Sequence, residues 1–202
     1  MIHYFVQIDH QLFTLVNQTL SANWLDGIMK FLSSKWMFIP IYILAVFKMY
    51  QIYQSKFWMP VLICLLAFGL ADSISSKIFK PIFKRTRPAH YIQIHPRIPD
   101  GMPGSKYGFV SSHSANTFAV YPLLAMFIFS AFDQSKKRLI SSKKWQIAAY
   151  VISGLVAYSR VYNGVHWPAD VFFGALLGIL IGRMCILIWN KWFLTKAVES
   201  LN

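Results

Sequence analysis

The stretch SRVYNGVHWPAD, residues 159–170, places a cation, an imidazole and a carboxylate between two apolar segments. Five residues lie between Arg160 and His166, and three lie between His166 and Asp170. Because Asp170 follows His166 by one helical turn, it can hold one imidazole nitrogen and leave the other free as a nucleophile or base. Arg160 can bind a tetrahedral oxyanion through two parallel hydrogen bonds. The pattern is typical of a site that handles an oxyanion such as phosphate.

Two further polar stretches supply the other groups that such a site needs. KPIFKRTRP contributes the cations Lys80 and Arg87, and VSSHS contributes Ser111, Ser112 and a second histidine, His113. The serines stand at a predicted helix start, where unpaired backbone N–H groups and the helix dipole favour an anion. Cations around a phosphate, with two histidines in reach, indicate phosphoryl transfer. The sequence offers no acidic pair and no Cys/His set with metal-ligand spacing, so we expect catalysis without a metal or other cofactor.

The elements that must position these residues are apolar. The chain has 202 residues, of which 56% are hydrophobic and 13% charged, and its mean hydropathy is +0.45. A spanning helix needs about 20 mostly apolar residues to cross ~30 Å of hydrocarbon. Five blocks approach that length: Trp36–Tyr53, Phe57–Ile74, Ala115–Phe132, Trp145–Tyr158 and Val171–Trp192. We therefore predict an all-α, polytopic membrane bundle of about five spanning helices.

The remaining segments are expected to lie outside the spans. Residues 1–35 carry apolar side chains at helical spacing with polar groups on the other faces, which predicts interfacial helices and no cleavable signal peptide. Pro81 to Lys106 holds five prolines, which predicts a loop, and a loop of that length is usually functional. Nothing indicates a second domain. Residues 1–202 are therefore interpreted as one membrane-embedded domain with its catalytic motifs at 80–170.

Passing five spans through a bilayer brings the three polar stretches to one side. The second span ends near Lys80 and the third begins near Ser111, while the fourth ends at Arg160 and the fifth begins at Asp170. Because each crossing reverses the face, all four points emerge together. The sequence therefore predicts one site that is built from three separate stretches.

The formal net charge of +13 could indicate a nucleic-acid partner, but the predicted spans argue against that class. Basic residues concentrate around the Pro81–Lys106 loop and in the short stretch Asp133–Lys144. The second cluster is typical of a cytoplasmic loop or of contact with anionic lipid headgroups. We expect this loop and the C-terminus to be cytoplasmic and the site to face outward, as in a bacterial inner-membrane protein whose active site faces the periplasm.

The polar stretches resemble the motifs of the type-2 phosphatidic acid phosphatase superfamily. The first family motif, Lys-x6-Arg-Pro, is matched by Lys80, Arg87 and Pro88. The third, Ser-Arg-x5-His-x3-Asp, is matched in full within residues 159–170. The resemblance covers residues 80–170 by motif and the flanking spans by architecture.

The second family motif, Pro-Ser-Gly-His, is half matched. Ser111 and His113 agree with it, whereas Val110 replaces the proline and Ser112 replaces the glycine. A backbone N–H at Ser112 can still point at phosphate, although the turn has lost the conformational freedom of glycine. We expect activity to survive this change.

The resemblance implies a metal-independent hydrolase that acts on lipid phosphates through a phosphohistidine. His166 would attack phosphorus, and Asp170 would orient it. His113 would protonate the leaving oxygen and then help to activate water. The phosphate oxygens would be held by Lys80, Arg87, Ser111, Ser112 and Arg160.

Charged residues outside the motifs have plainer interpretations. A carboxylate near the end of a span is costly unless it is paired, so we expect Asp72 to pair with Lys77 or another cation of the bundle. Lys84 and Arg85 are interpreted as ordinary interfacial charges.

The motifs hold only phosphate and leave the identity of the lipid open. Family analogy favours undecaprenyl diphosphate or phosphatidylglycerol phosphate, with lipid A phosphate and phosphatidic acid as alternatives. An anion or phosphate transporter would also combine spans with cations, but it would not explain why Asp170 supports one histidine while another lies nearby. A vanadate haloperoxidase would share the site, but those enzymes are generally soluble. The oligomeric state is left open.

Overall fold

The structure, a computed structural model, describes residues 2–99, 104–133, 138–141 and 143–199. Within these ranges the chain forms helices with two short strands. The helices are α1 (Ile2–Thr14), α2 (Asn23–Ser33), α3 (Lys35–Tyr53), α4 (Trp58–Ser73), α5 (Lys80–Phe83), α6 (Ser112–Phe129), α7 (Lys143–Tyr162) and α8 (Pro168–Glu199). The strands are β1 (Ser130–Asp133) and β2 (Arg138–Ser141).

Helix α6 is the centre of the bundle and packs against α8, α7, α4 and α3. Most of its residues are buried, as expected for a helix that is apolar on all sides. By contrast, α3 exposes large apolar side chains such as Ile43, Leu44 and Phe47. Exposed apolar surface of this extent fits contact with lipid rather than with water. The chain is an integral membrane protein.

Helix α8 presents a row of glycines to α6 at four-residue spacing: Gly174, Gly178 and Gly182. A Cβ atom on Gly174 would lie only 2.6 Å from the carbonyl oxygen of Ser111, so the missing side chain lets the two backbones approach closely. At the top of this contact, the Ser111 N–H donates to the Asp170 carbonyl over 2.9 Å. The glycine row therefore fixes the second and third motifs beside each other.

The predicted N-terminal helices are present and dock onto the bundle. Helix α1 continues into a π-helical turn at Leu15–Thr19, and α2 packs against α7. The Asn17 amide donates to the carbonyl oxygens of Tyr162 and Arg97, each over 2.7 Å. The Tyr162 hydroxyl donates to Asp26 over 2.7 Å. These bonds tie the N-terminal helices to the end of α7 and to the long loop.

The predicted all-α membrane bundle is confirmed. By length and composition, three helical stretches in the described part of the chain could cross a membrane, namely Trp36–Lys56, Trp58–Phe83 and Pro168–Lys191. Helices α6 and α7 pack against them, and polar residues at the start of α6 and at both ends of α7 lower the hydropathy of these two helices. One addition is the antiparallel hairpin of β1 and β2 between α6 and α7, so the third apolar block stays helical only to Phe129.

The prediction of a loop from Pro81 to Lys106 is wrong at its first residues. Lys80 to Phe83 form α5, which follows a π-helical turn at Ile74–Phe79. Such a wide turn accommodates the proline ring, which would clash inside a regular α-helix. The helix ends at Lys84, whose φ is +46°. Short 3₁₀ turns follow, while Pro103 falls outside the described residues.

Candidate active site

A cavity of about 610 Å³ opens where α3, α4, α6 and α7 meet the long loop. Its lining residues are Phe38, Ile39, Tyr42, Phe68, Asp72, Ser76, Lys80, Arg87, Ser112, His113, Asn116, Thr117, Arg160 and His166. The structure thus brings the three polar stretches together at one face, as the sequence predicted. Three cations and two histidines share one cavity.

His166 is the most enclosed of the predicted site residues that line the cavity, with 1% of its surface exposed. Its Nδ1 lies 3.3 Å from Asp170 Oδ2, and the same carboxylate oxygen accepts from the Trp167 N–H over 3.1 Å. Burial, together with the charge of Arg87, holds the pKa of His166 well below its usual range. The imidazole is therefore neutral near pH 7, and its Nε2 is the nitrogen left for a substrate.

Gly108 lets the loop pass directly over this pair. A Cβ atom there would lie 2.8 Å from Arg87 Cγ, 2.9 Å from Asp170 Oδ2 and 3.3 Å from His166 Nδ1. Any larger residue would displace one of three predicted site residues, so the position requires glycine for space.

Arg85 is not an ordinary interfacial charge, and that interpretation is wrong. Its Nη1 donates to Asp170 Oδ1 over 2.9 Å, and its Nη2 donates to Asp9 Oδ2. Its guanidinium also lies over the Trp167 ring, 5.3 Å from the centroid. The left-handed turn at Lys84 ends α5, so helical spacing no longer describes where the next side chain goes. Arg85 instead binds the free oxygen of the carboxylate that faces His166.

Helix α1 reaches the same cluster, a contact that the sequence did not predict. Besides pairing with Arg85, Asp9 accepts through Oδ1 from the Ala169 N–H in the first turn of α8, over 2.8 Å. The His10 ring stacks on Trp167 with 4.3 Å between ring centroids. Asp9 is the only Asp, Glu, Lys or Arg of α1, and this lone charge was the available signal, because a charge that becomes buried needs a partner.

The loop holds Arg87 next to the pair formed by His166 and Asp170. Only 7% of its surface is exposed. Its backbone N–H donates to the Lys106 carbonyl over 3.0 Å, and its Nε donates to the Tyr107 carbonyl over 3.2 Å. Burial lowers the pKa of Arg87, and the Asp170 charge opposes that shift. A guanidinium titrates far above neutral pH, so the side chain remains a cation.

Ser112 and Lys80 form the polar wall next to His113. The Lys80 amine donates to Ser112 Oγ over 2.8 Å, and the Ser112 and Ser75 hydroxyls hydrogen-bond each other over 2.8 Å. Ser112 is the first residue of α6. It is not one of the described residues that have a positive φ. The replacement of the family's glycine therefore creates no backbone strain here.

Ser111 differs from the expectation that its hydroxyl faces phosphate. Ser111 is fully buried and is not one of the residues that line the site cavity. Its N–H is occupied by the Asp170 carbonyl, and its Oγ accepts from the Ser114 N–H over 3.4 Å. An oxygen that accepts from the first turn of α6 caps that helix. Ser111 thus joins α6 to α8, while Ser112 presents its hydroxyl to the cavity.

The surroundings of His113 are less crowded. The Phe38 ring stands edge-on, 6.0 Å between centroids. One turn further along α6, the Asn116 amide donates to Asp72 Oδ1 over 3.4 Å. Among the described residues the Asp72 carboxylate faces this amide and forms no ion pair with Lys77 or another cation, so the expected pairing is wrong.

An apolar cavity of about 260 Å³ adjoins the site between α3 and α4. It shares Tyr42 and Phe68 with the site cavity. Its other lining residues are Ala45, Val46, Met49, Val61, Cys64, Leu65, Val120 and Leu124. An apolar path therefore leads from the histidines toward the lipid-facing side of the bundle.

A helical membrane bundle with an oxyanion site at one face is the class that this fold and site define. The family model described as the PAP2 superfamily matches residues 57–194, which is more than half of the chain. The chain belongs to the PAP2 superfamily.

Relatives with different named substrates are similar to the chain. The lipid A 4'-phosphatase of Porphyromonas gingivalis is 29% identical over 200 residues, which cover 94% of this chain and 78% of the relative. The undecaprenyl-diphosphatase of Sulfolobus acidocaldarius is 29% identical over 203 residues, covering 95% and 84%. A solved structure, the transmembrane PAP2 type phosphatidylglycerolphosphate phosphatase from Bacillus subtilis, has a TM-score of 0.71 at 24% identity and covers 94% of this chain and 88% of its own. That likeness supports the fold.

Proposed function

We propose that this protein is an integral membrane phosphatase that removes phosphate from a lipid through a phosphohistidine. The main support for this proposal is the cavity that places two histidines and three cations together and adjoins an apolar path between α3 and α4. Membership of the PAP2 superfamily supports the same reaction. Because α1 contacts the site, the proposal treats the whole chain as one membrane-embedded domain.

In the first half of the reaction, phosphate binds among the cations and donors at its end of the cavity: Lys80, Arg87, Ser112 and Arg160. Ser111 supports this group by fixing the start of α6. The neutral His166 then attacks phosphorus through Nε2, while Asp170 holds Nδ1. As the new P–N bond forms, the bond between phosphorus and the leaving oxygen breaks, and His113, which enters this step protonated, gives that oxygen a proton and becomes neutral.

In the second half, the roles at His113 reverse. The leaving lipid alcohol departs, and His113 takes a proton from a water molecule as the water oxygen attacks phosphorus. The P–N bond breaks, inorganic phosphate forms, and His166 returns to its neutral state. The cations offset the charge that develops on the phosphate oxygens, which is the stabilisation that a metal supplies in other phosphatases.

The lipid reaches the site from the bilayer in this proposal. Its phosphate would lie among the cations, and its tails would follow the apolar path that shares Tyr42 and Phe68 with the site. Burial of hydrocarbon along that path favours lipid phosphates over short soluble esters. Undecaprenyl diphosphate, phosphatidylglycerol phosphate, lipid A phosphate and phosphatidic acid are the candidate substrates.

The test is release of inorganic phosphate from these four lipids by the purified protein in detergent, with glycerol phosphate as the soluble comparison. We expect release from at least one lipid. We also expect EDTA to leave the rate unchanged and orthovanadate to inhibit, because vanadate adopts the five-coordinate shape of the transition state. Acid-quench labelling of His166 with ³²P would report the intermediate. Phosphate transport across vesicles without lipid hydrolysis would overturn the proposal.

We also propose that the site faces the outside of a bacterial inner membrane. Supporting residues are the basic side chains of the Asp133–Lys144 connection, which the positive-inside rule assigns to the cytoplasm. Of these, Lys136 and Lys137 fall outside the described residues. In intact cells, the variant Ser105→Cys should react with an impermeant maleimide and Gln134→Cys should not. Both native cysteines are buried, which keeps the background low. The reverse labelling pattern would place the site at the inner leaflet.

A further inference from the structure

The site cavity extends past the phosphate-binding groups on the side of His113. There it is bounded by Asp72 of α4 and by Asn116 of α6, and neither residue belongs to a motif. Asn116 follows His113 by three residues, one helical turn, and Asp72 precedes Lys80 by eight residues on the same continuous helical stretch. Both therefore lie deeper along their helices than the catalytic groups, where the leaving alcohol of a bound lipid must pass.

Asp72 is a carboxylate within a stretch long enough to span the membrane. Such a group is costly in a bilayer and usually marks a functional site. The fold makes little use of its charge in the described residues. Its one side-chain hydrogen bond is the long 3.4 Å contact from Asn116, while the Ser75 hydroxyl bonds its backbone carbonyl instead. The carboxylate thus keeps acceptor positions that face the cavity.

The side-chain amide of Asn116 likewise leaves part of its hydrogen-bonding capacity unused. Its amide nitrogen donates to Asp72, but its Oδ1 is buried and has no hydrogen-bond partner among the described residues. Turning the amide over would set Oδ1 against the carboxylate, so the observed orientation is the favourable one. A buried acceptor without a donor is unfavourable. Two adjacent groups therefore offer acceptors and lack donors.

The chemistry of this pair selects a ligand. Acceptors beside a carboxylate bind O–H and N–H groups, whereas a second phosphate would be repelled by the charge of Asp72. We infer that Asp72 and Asn116 form a subsite for hydroxyl or amide N–H donors on the leaving alcohol. This inference rests on the proposed phosphatase function. The substrate class is a lipid phosphate on a glycerol or sugar. A leaving group without donors, or one that is itself a phosphate, fits the subsite less well.

A matched pair of substrates tests this subsite. Oleoyl lysophosphatidic acid carries one hydroxyl beside its phosphate ester, and its 2-deoxy analogue differs only by lacking that hydroxyl. A site that hydrogen-bonds a substrate hydroxyl discriminates against the analogue, so we expect the wild-type protein to favour lysophosphatidic acid by about tenfold or more in kcat/KM. Undecaprenyl diphosphate should be hydrolysed less efficiently than either glycerol-based or glucosamine-based lipid phosphates.

Variants assign the preference to the subsite. Asp72→Ala and Asn116→Ala should bring the ratio of kcat/KM for the two substrates close to one, and Asp72→Asn should retain part of it. Ser73→Ala is the matched control, since Ser73 adjoins Asp72 in α4 but does not line the cavity, and its ratio should equal that of the wild type. Because the readout is a ratio, partial loss of folded protein does not alter it.

The outcomes separate this inference from the proposed function. If the wild type hydrolyses no lipid phosphate, the phosphatase proposal itself fails. If it hydrolyses lysophosphatidic acid and the deoxy analogue equally well, or if the ratio survives in Asp72→Ala and Asn116→Ala, the phosphatase stands and the subsite is refuted.

Discussion

His166 and His113 share one cavity but have different surroundings. His166 is enclosed by Asp170, by the backbone of Gly108 and, through Asp170, by Arg85. His113 faces an aromatic edge and the wider part of the cavity. The first side is fixed by contacts from four separate parts of the chain, including α1 and the long loop. The second side is left open toward the bilayer.

This difference separates two tasks. A nucleophile must approach phosphorus in one geometry, so many contacts hold it. The leaving group varies between lipids, and the side that receives it needs space and a few placed polar groups. Substitutions near His166 should therefore lower the rate for every substrate, whereas substitutions near His113 should change which lipid is preferred.

The largest effect is expected from removing the nucleophile. His166→Ala should lower kcat by ~10³-fold or more, because no other group in the cavity is held by Asp170. His113→Ala should be nearly as damaging. Phosphate release by purified protein measures both, and circular dichroism checks the fold. His90→Ala, an exposed loop histidine, is the control and should retain activity. A His166→Ala protein that is folded and turns over normally would contradict the mechanism.

The next effect tests whether the enclosure of His166 matters. Arg85→Gln and Asp9→Asn should each lower kcat by about 10–100-fold with little change in KM, because Asp170 loses a partner and the imidazole loses its orientation. Arg85→Lys should recover part of the rate, since it restores the charge but not the two-sided hydrogen bonding.

The double variant of Arg85 and Asp9 distinguishes one network from two separate effects. If the residues act together on Asp170, the double variant should be about as slow as the slower single variant. Multiplicative losses, or a rise in KM with unchanged kcat, would mean that α1 does not position the nucleophile.

A smaller effect is expected at Gly108. In Gly108→Ala the added methyl group would lie within 3 Å of Arg87 and Asp170, so the loop must retreat, and we expect kcat/KM to fall by ~10-fold for all lipids alike. Gly154→Ala is the control, because a Cβ there meets no atom within 4 Å. A change in lipid preference rather than in the general rate would break the division between the two sides.

The two sides also differed in how far the sequence could predict them. The spacing of Arg160, His166 and Asp170 is local and survives in the structure, and hydropathy located the helices that carry it. Arg85 meets Asp9 across 76 positions of sequence, and Asp9 meets α8 across 160. No local spacing encodes such contacts. The roles of Ser111 and Ser112 depend on where α6 begins, and a shift of one residue exchanges them.

The smallest effect is expected at an ion pair of similar geometry that lies away from the cavity. Arg97 donates through both terminal nitrogens to Asp26, each over 2.6 Å, and this hydrogen bonding lowers the pKa of Asp26 below 3.8. Both side chains are partly exposed, so the pair should contribute only about 0.5–1 kcal/mol. It joins α2 to the loop but does not touch His166.

We therefore expect Arg97→Gln to lower the melting temperature in detergent by about 2–4 °C at pH 7 and to leave kcat unchanged. Because folding lowers the pKa of Asp26, the pair's contribution to the free energy of unfolding is fully present above pH 3.8. This contribution is lost as the pH falls through the lower pKa of the folded state. The melting temperatures of wild type and Arg97→Gln, followed by circular dichroism, should converge in that acidic range. If Arg97→Gln instead slowed turnover as much as Arg85→Gln, any ion pair on the N-terminal helices would affect His166. The contacts of Arg85 and Asp9 with Asp170 and α8 would then no longer explain the rate.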